Sequence, residues 1–225
     1  MSIVKVLPEL RAAGGAQMAL DTGLLETADE VMARRYTWAP PALSLGKFQK
    51  YEPVPGLPFD VVRRPSGGRA VLHGEGFEWS FAVAFPAGAL GAGARAALDV
   101  AKPYDVVAGA FAGAFEALGV VLDGGRESAY QRSALCFASV LRHDLTARGE
   151  KLVAVAQARR DGRVLVHGSV LERRPPDGLA QAAATLLGEP WQGDGLAGAG
   201  YVLEPEMIWK RVLVRLEAAL QQLVV

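Results

Sequence analysis

Arg63-Arg64-Pro65-Ser66-Gly67-Gly68-Arg69-Ala70-Val71-Leu72-His73 is the stretch on which the reading of this chain turns. Arginines, a proline and a serine lead into adjacent glycines, and an apolar run then ends in a histidine. Adjacent glycines let backbone N–H groups come closer to a ligand than any Cβ-bearing residue allows. The arginines at 63, 64 and 69 supply planar donor forks suited to a carboxylate, a phosphate or a carrier-linked group. A plain Gly-Gly hairpin with solvated arginines fits the composition equally well. Val61-Val62 before the turn and Arg69 to Leu72 after it read as strand–turn–strand.

Outward from this turn, residues 15–34 carry Met18, Leu20, Leu24, Leu25, Ala28 and Val31 at roughly helical spacing, which predicts a helix. Leu43-Ser44-Leu45 alternates like a short strand ahead of Gly46, and Trp79 to Phe85 reads as a strand bounded by Pro86. Residues 88–102 are rich in alanine and glycine and read as partly helical. Val107, Phe111 and Phe115 predict a helix over 104–118, Asp123-Gly124-Gly125 a turn, and 126–135 a polar loop. Lys151 to Gln157 and Val164 to Leu171 read as strands joined by the tight-turn dipeptide Asp161-Gly162. Leu179 to Leu187 and Pro205 to Leu223 read as helices, with the glycine-rich stretch 188–202 flexible between them. Strands and helices mix without regular β-α-β alternation, which predicts an α+β fold of mixed, mostly antiparallel sheets with flanking helices. A single domain over 1–225 is expected, with 188–225 as a C-terminal helical extension.

Bulk properties narrow the function. The 24 basic and 24 acidic residues cancel, so a whole-protein electrostatic footprint for nucleic acid is absent. A single cysteine excludes an internal disulfide and a Cys-rich metal site, and histidines scattered at 73, 143 and 167 make no zinc motif. The N-terminus has no apolar core of signal-peptide length. Val106 to Leu122 is interrupted by Glu116 and falls short of a membrane span. A cytoplasmic protein with no nucleic-acid or membrane partner and no bound metal is expected. No phosphate loop, His-Glu-x-x-His or Gly-x-Ser-x-Gly elbow is present.

Several side chains carry chemistry of two kinds. Cys136, between Leu135 and Phe137, fits a small buried hydrophobe. It also follows a polar loop with Arg126, Arg132 and Ser133, a setting that favours a thiolate nucleophile. Lys151 opens an apolar strand, either as a solvated end or as a desolvated amine facing an acyl carbonyl or carboxylate. His73 is a structural histidine or a catalyst. Gln157 and His167 are expected near each other across the proposed hairpin.

Taken together these residues resemble the lipoate-protein ligase and octanoyltransferase family. The arginine–glycine turn resembles the family signature, with Ser66 where Thr commonly stands. Gln17 to Asp21, Trp38 to Gly46 with Gln49, Cys136-Phe137 with Gly149 to Leu152 and Ala156-Gln157, and Val166 to Ser169 resemble further family blocks in the same order. The resemblance implies a class II synthetase-like fold similar to the catalytic domain of biotin protein ligases. It implies an acyltransferase that moves octanoate from acyl carrier protein to a lysine of a lipoyl domain, such as the glycine-cleavage H protein. Cys136 would carry the acyl group and Lys151 would contact its carbonyl. Substrate-binding positions implied are Arg63, Arg64, Ser66, Gly67, Gly68, Arg69, Ala70, Val71 and His73, then Ala154, Gln157, His167 and Gly168. The transferase needs no cofactor. An ATP-dependent lipoate ligase, which would use ATP and Mg, and a non-catalytic acyl- or lipoyl-domain-binding protein are the alternatives.

The chain departs from the family pattern at two places. Ala154-Val155 stands where Gly-Ser or Gly-x is usual, and Gly74 replaces the usual acid after the histidine. Both changes weaken a nucleotide-dependent ligase more than a simple acyltransferase. Burial of methylenes at about 0.8 kcal/mol each gives such a pocket a chain-length preference.

Overall fold

Residues 3–91, 99–123 and 133–223 are described by a computed structural model of the chain. The expected turn glycines at 124 and 125, Arg126 and Arg132 in the polar loop, and part of the stretch 88–102 lie outside them.

The larger sheet is organised around β7 (Glu78–Phe85), which is buried along its whole length because both of its faces are covered. Its neighbours are β3 (Val31–Trp38) and β10 (Arg163–Leu171), both antiparallel to it. Beyond β10 lie β9 (Glu150–Arg160) and β8 (Leu145–Ala147), while β1 (Val4–Val6) and β2 (Leu10–Ala12) run parallel to β3. Side chains alternate across a strand, and the alternation along β7 is one of size. Trp79, Phe81, Val83 and Phe85 pack with Phe111 and Phe115 of α2 (Ala101–Glu116) and with Trp209 of the C-terminal helix. Ser80, Ala82 and Ala84 face the other way, toward α1 (Gly14–Thr27), and the small size of these three leaves room above the sheet.

A smaller sheet covers that space. It orders β5 (Asp60–Arg63), β4 (Ala42–Leu45) and β6 (Val71–His73) with β4 in the centre. The strands expected around the arginine–glycine turn are therefore present, but they do not pair as a hairpin. β4 runs between them, parallel to β5 and antiparallel to β6. The turn crosses the end of β4 so closely that a Cβ on Gly46 would lie 2.0 Å from the Gly68 carbonyl oxygen. Gly68 itself has φ +93°, a left-handed conformation that glycine adopts without strain.

Two further expectations are corrected. The helix predicted over 15–34 ends at Thr27, and Val31–Trp38 is a strand. Both faces of that strand are covered, so its apolar residues do not alternate, and Val31 falls by coincidence in helical phase with Leu24 and Leu25. The glycine-rich stretch from 188 is packed, not loose. Trp191 and Leu196 are buried, and the short helix α4 (Gly195–Gly198) follows α3 (Asp177–Leu187). Its Gly195 sits against Leu171, where a Cβ would come within 2.2 Å of the carbonyl oxygen. Helix α5 (Pro205–Gln221) buries Ile208, Val212, Leu216 and Leu220 in the same core as α2, so the C-terminal part is built into the main body. The Asp161-Gly162 turn is found as expected, both residues at positive φ (50° and 77°), as a tight β9–β10 hairpin requires.

Helix α1 is fixed to the sheet by polar groups. Asp21 is fully buried and accepts from Arg34 (2.6 Å), from the Tyr36 hydroxyl (3.0 Å) and from His167 Nδ1 (2.7 Å). Gln17 donates to the carbonyls of Leu10 and Thr37 and accepts from Arg34. Burial alone would raise the Asp21 carboxyl, but the hydrogen bond and charge of His167, with Arg34, outweigh it and hold it below the usual carboxylate range.

Two predictions follow from these contacts. Gly46→Ala forces the turn off β4 and is expected to cost at least about 1–3 kcal/mol in urea unfolding. Asp21→Asn leaves Arg34 and His167 without their shared anion, an expected loss of about 3–5 kcal/mol at pH 7. Because the folded carboxyl is held low, its stabilisation is present above the unfolded value of about 3.9 and fades as pH falls through the folded value. The gap between wild type and Asp21→Asn in urea unfolding should therefore narrow below about pH 4.

Candidate active site

The arginine–glycine turn and Cys136 are brought together by a backbone bridge. Ala70 N–H donates to the Ala134 carbonyl at 2.8 Å, and Cys136 N–H donates to the Ala70 carbonyl at 2.9 Å. Glu189, just beyond α3, clamps the same segment from behind. Its Oε1 accepts from the Ser133 hydroxyl and from the backbone N–H groups of Ala134 and Leu135, at 2.6, 2.6 and 2.7 Å. Cys136 then opens a single 3-10 turn, Cys136–Ala138, with its thiol partly exposed. The arginines expected to flank it at 126 and 132 lie outside the described residues, and the Ser133 hydroxyl is engaged by Glu189.

Lys151, near the start of β9, is 3% exposed and points at that turn. Its Nζ lies 2.6 Å from Asp144 Oδ2, 2.9 Å from the Cys136 carbonyl, 3.0 Å from the Ser139 carbonyl and 3.6 Å from Cys136 Sγ. Burial alone would lower its pKa, but Cys136 and Asp144 outweigh burial and raise it, so the group is an ammonium at neutral pH. A cation beside the sulfur favours any negative charge that develops there.

Behind the pair lies a mainly apolar cavity of about 170 Å³. Met18, Trp38, Val71, Ala154 and Val155 contribute its apolar wall, and Gly168, His73 and His167 its floor and side. Gly168 is required there, since a Cβ would meet the Ala154 carbonyl oxygen at 2.1 Å and the Phe81 ring at 2.7 Å. A larger cleft of about 420 Å³ at the β9–β10 turn contains no thiol, so the smaller cavity is the one with chemistry.

The arginines are engaged differently from a free anion cradle. Arg63 donates to the carbonyls of Gly46, Lys47 and Gln49. Arg64, buried, donates to the Ser44 carbonyl and hydroxyl and to the carbonyls of Gly67 and Arg69. Arg69 reaches the Ser139 hydroxyl. These forks hold the turn in shape. Arg64, Gly68 and Arg69 still line the cavity beside Cys136, whereas Arg63, Ser66, Gly67 and Ala70 stand behind it.

Both buried histidines belong to hydroxyl–imidazole–carboxylate chains. Ser44 Oγ lies 2.6 Å from His73 Nε2, and His73 Nδ1 lies 3.0 Å from Glu78. Ser66 Oγ lies 2.6 Å from His167 Nε2, and His167 Nδ1 reaches Asp21. Burial pulls the His73 pKa down against the opposing effect of Glu78, and its ring stacks on Trp38 at 4.0 Å. The acid missing at position 74 is thus answered by Glu78. A Cβ on Gly74 would strike the Phe77 ring at 2.5 Å.

Gln157 is the sequence-derived position that does not fit. Its register partner is Val166, on the helix-covered face of the sheet, while Ala156 pairs with His167. Its amide donates to the Val100 carbonyl and its backbone N–H donates to the Tyr104 hydroxyl oxygen, both away from the cavity. Asp144, Ser139, Glu78, Asp21 and Glu189 were not anticipated. Only Asp21 fell inside a quoted sequence block, and a lone acid in a loop carries no readable spacing.

Comparison with known proteins agrees with this geometry. A family model described as the lipoyl protein ligase A/B catalytic domain matches residues 14–183. An octanoyltransferase LipM from Carboxydothermus hydrogenoformans is 33% identical over 181 residues, covering 74% of this chain and 64% of its own length. The chain therefore spans less than two thirds of that relative. Among solved structures, a bi-partite lipoate protein ligase from Thermoplasma acidophilum, described with its E2 lipoyl domain, superposes with a TM-score of 0.68 at 17% identity, covering 98% of this chain and 84% of its own. Biotin protein ligase from Aquifex aeolicus gives 0.51 at 12% identity, covering 99% and 72%, which bears out the expected fold. With the match to residues 14–183, the chain belongs to the lipoyl protein ligase A/B catalytic domain family.

Proposed function

We propose that this chain is a cytoplasmic octanoyltransferase that moves an octanoyl group from acyl carrier protein to a lysine of a lipoyl domain, through a thioester on Cys136. The supporting observation is the pairing of Cys136 Sγ with Lys151 Nζ at 3.6 Å, at an apolar cavity of about 170 Å³. In the first step Sγ attacks the carrier thioester. The new C–S bond forms as the old one breaks, and the carrier leaves as its thiol. Thioester exchange is nearly balanced in energy, so no nucleotide is needed. In the second step the acceptor amine attacks the acyl carbon, the amide forms, and the proton released returns to Cys136 sulfur. Lys151 stabilises charge in both steps.

The apolar wall supplies selectivity. Each buried methylene contributes about 0.8 kcal/mol, or roughly fourfold in binding. The backbone duties of Arg63 and Arg64 also favour this reading over an ATP-dependent ligase, because Arg63 Nη1 and both terminal nitrogens of Arg64 already donate to carbonyls and Ser44.

Intact-mass spectrometry with octanoyl carrier protein tests the reading. Wild type should gain one octanoyl group that hydroxylamine removes, and Cys136→Ala should gain none and lose transfer by more than about a thousandfold. No adduct on wild type, or an adduct that survives Cys136→Ala, overturns it. ATP-dependent use of free lipoate by Cys136→Ala would identify a ligase instead. Ala154→Leu fills the cavity beside Gly168 and should lower octanoyl transfer by about tenfold or more while sparing butanoyl transfer, read as kcat/KM for each chain.

A further inference from the structure

Lys151 has more acceptors around it than a neutral amine can use. Three oxygens stand within 3.0 Å of Nζ, from Asp144, Cys136 and Ser139. An ammonium has three protons to give them, whereas an amine has two and a lone pair that would have to face an acceptor. The Phe137 ring also faces Nζ, at 5.5 Å, an arrangement that suits a cation.

Two neighbours support that cation, Asp144 by direct contact and the Cys136 sulfur beside it, and acylation removes the support of the sulfur. While Cys136 is free, its sulfur and Asp144 both favour the charged lysine. Once the sulfur carries an acyl group it is neutral, and Asp144 alone remains. A buried lysine with no anion beside it favours the uncharged amine. That amine would sit 3.6 Å from the sulfur of a thioester whose carbonyl carbon is one bond further on, within the range of a near-attack contact. Conversion of a thioester to an amide is downhill, so the enzyme would acylate itself and stop.

We propose that Asp144 is a positioning residue that keeps Lys151 protonated through the acyl-enzyme stage and so prevents transfer of the acyl group from Cys136 to Lys151. The step it blocks is an S-to-N shift. The acyl C–S bond breaks, a C–N bond forms to Nζ, and the amine proton passes to sulfur. Asp144 is built for this task rather than placed by chance. Its side chain is 2% exposed, Oδ2 also accepts from Leu141 N–H at 2.8 Å, and Oδ1 accepts from Val155 N–H at 3.3 Å. The carboxylate is therefore oriented by two backbone groups before it meets the lysine.

The inference rests on the acyl-Cys136 reading, and the experiment separates the two. Wild type, Asp144→Asn, Asp144→Ser and Asp144→Glu are loaded with octanoyl carrier protein, then treated with hydroxylamine and mapped by peptide mass spectrometry. Thermal melts select the variants that fold. Asp144→Asn keeps the shape and an oxygen for Leu141, and Asp144→Ser provides a second neutral variant. In either, the hydroxylamine-resistant fraction should rise at least tenfold over wild type and map to Lys151. Asp144→Glu should restore a labile adduct, and the resistant fraction should vanish in Asp144→Asn combined with Lys151→Arg. A wholly labile adduct in the folded neutral variants, with Lys151 unmodified, overturns the role of Asp144 while leaving the acyl-Cys136 reading intact. No adduct on wild type overturns both.

Discussion

Asp21 is the carboxylate through which separate parts of the chain are joined. It lies on α1 and accepts from Arg34 and Tyr36 on β3 and from His167 on β10. Through His167 it reaches Ser66, and so the arginine–glycine turn that closes the smaller sheet over the larger one. A fully satisfied buried network of this kind stiffens what it connects, and it is costly when any member is left unpaired. The space between the sheets depends on this. Hydrophobic contact alone would favour collapse of the cavity, and the polar struts fix the turn relative to β10 and α1 beside it.

The division of large and small side chains along β7 gives the strand two functions. Its aromatic face makes the core with α2 and α5, where Trp79, Phe81 and Phe85 are almost wholly buried. On the opposite face Ala82 and Ala84 let α1 pack close through Met18 and Leu25, and Ser80 reaches the cavity. Ala154 and Ser169 pair across β9 and β10 in the same row, again small residues opposite small residues. An acyl chain entering this space would complete the packing that the protein leaves open, which is the physical basis for reading length from the cavity wall.

Much of this was legible in the sequence, for identifiable reasons. The helix from 205 and the β9–β10 hairpin were readable because each shows one dominant period or turn signal. Strand β3 was not, because burial on both faces erases alternation and its first residues continue the phase of α1. The pairing of β5 and β6 was misjudged because a turn between two strands normally joins neighbours, and nothing local reveals that β4 will insert. At the site, Cys136, Lys151 and the turn stood out by motif. Gln157 was misplaced because its face is set by β-register, which one strand read alone does not fix. Asp144 and Glu189 act across the fold from loops, where no periodicity marks them.

The arginines show why residue type alone misleads. Guanidinium forks beside paired glycines have the composition of an anion cradle, yet here Arg63 and Arg64 donate to backbone carbonyls at the end of β4 and in the turn. The charge of Arg64 is nonetheless buried beside the cavity, and burial pulls its pKa below the usual arginine value. Its hydrogen-bond path to a carboxylate is indirect. Arg64 donates to Ser44, Ser44 meets His73, and His73 meets Glu78, so two groups intervene along that path. Lys151, by contrast, has its carboxylate in direct contact. The direct pair can hold a proton on the lysine while the sulfur changes state. The relayed path leaves the guanidinium's field less cancelled at the turn than a direct contact would. Two buried cations of like charge thus line one cavity with different support, a carboxylate in direct contact for Lys151 and a relayed path for Arg64.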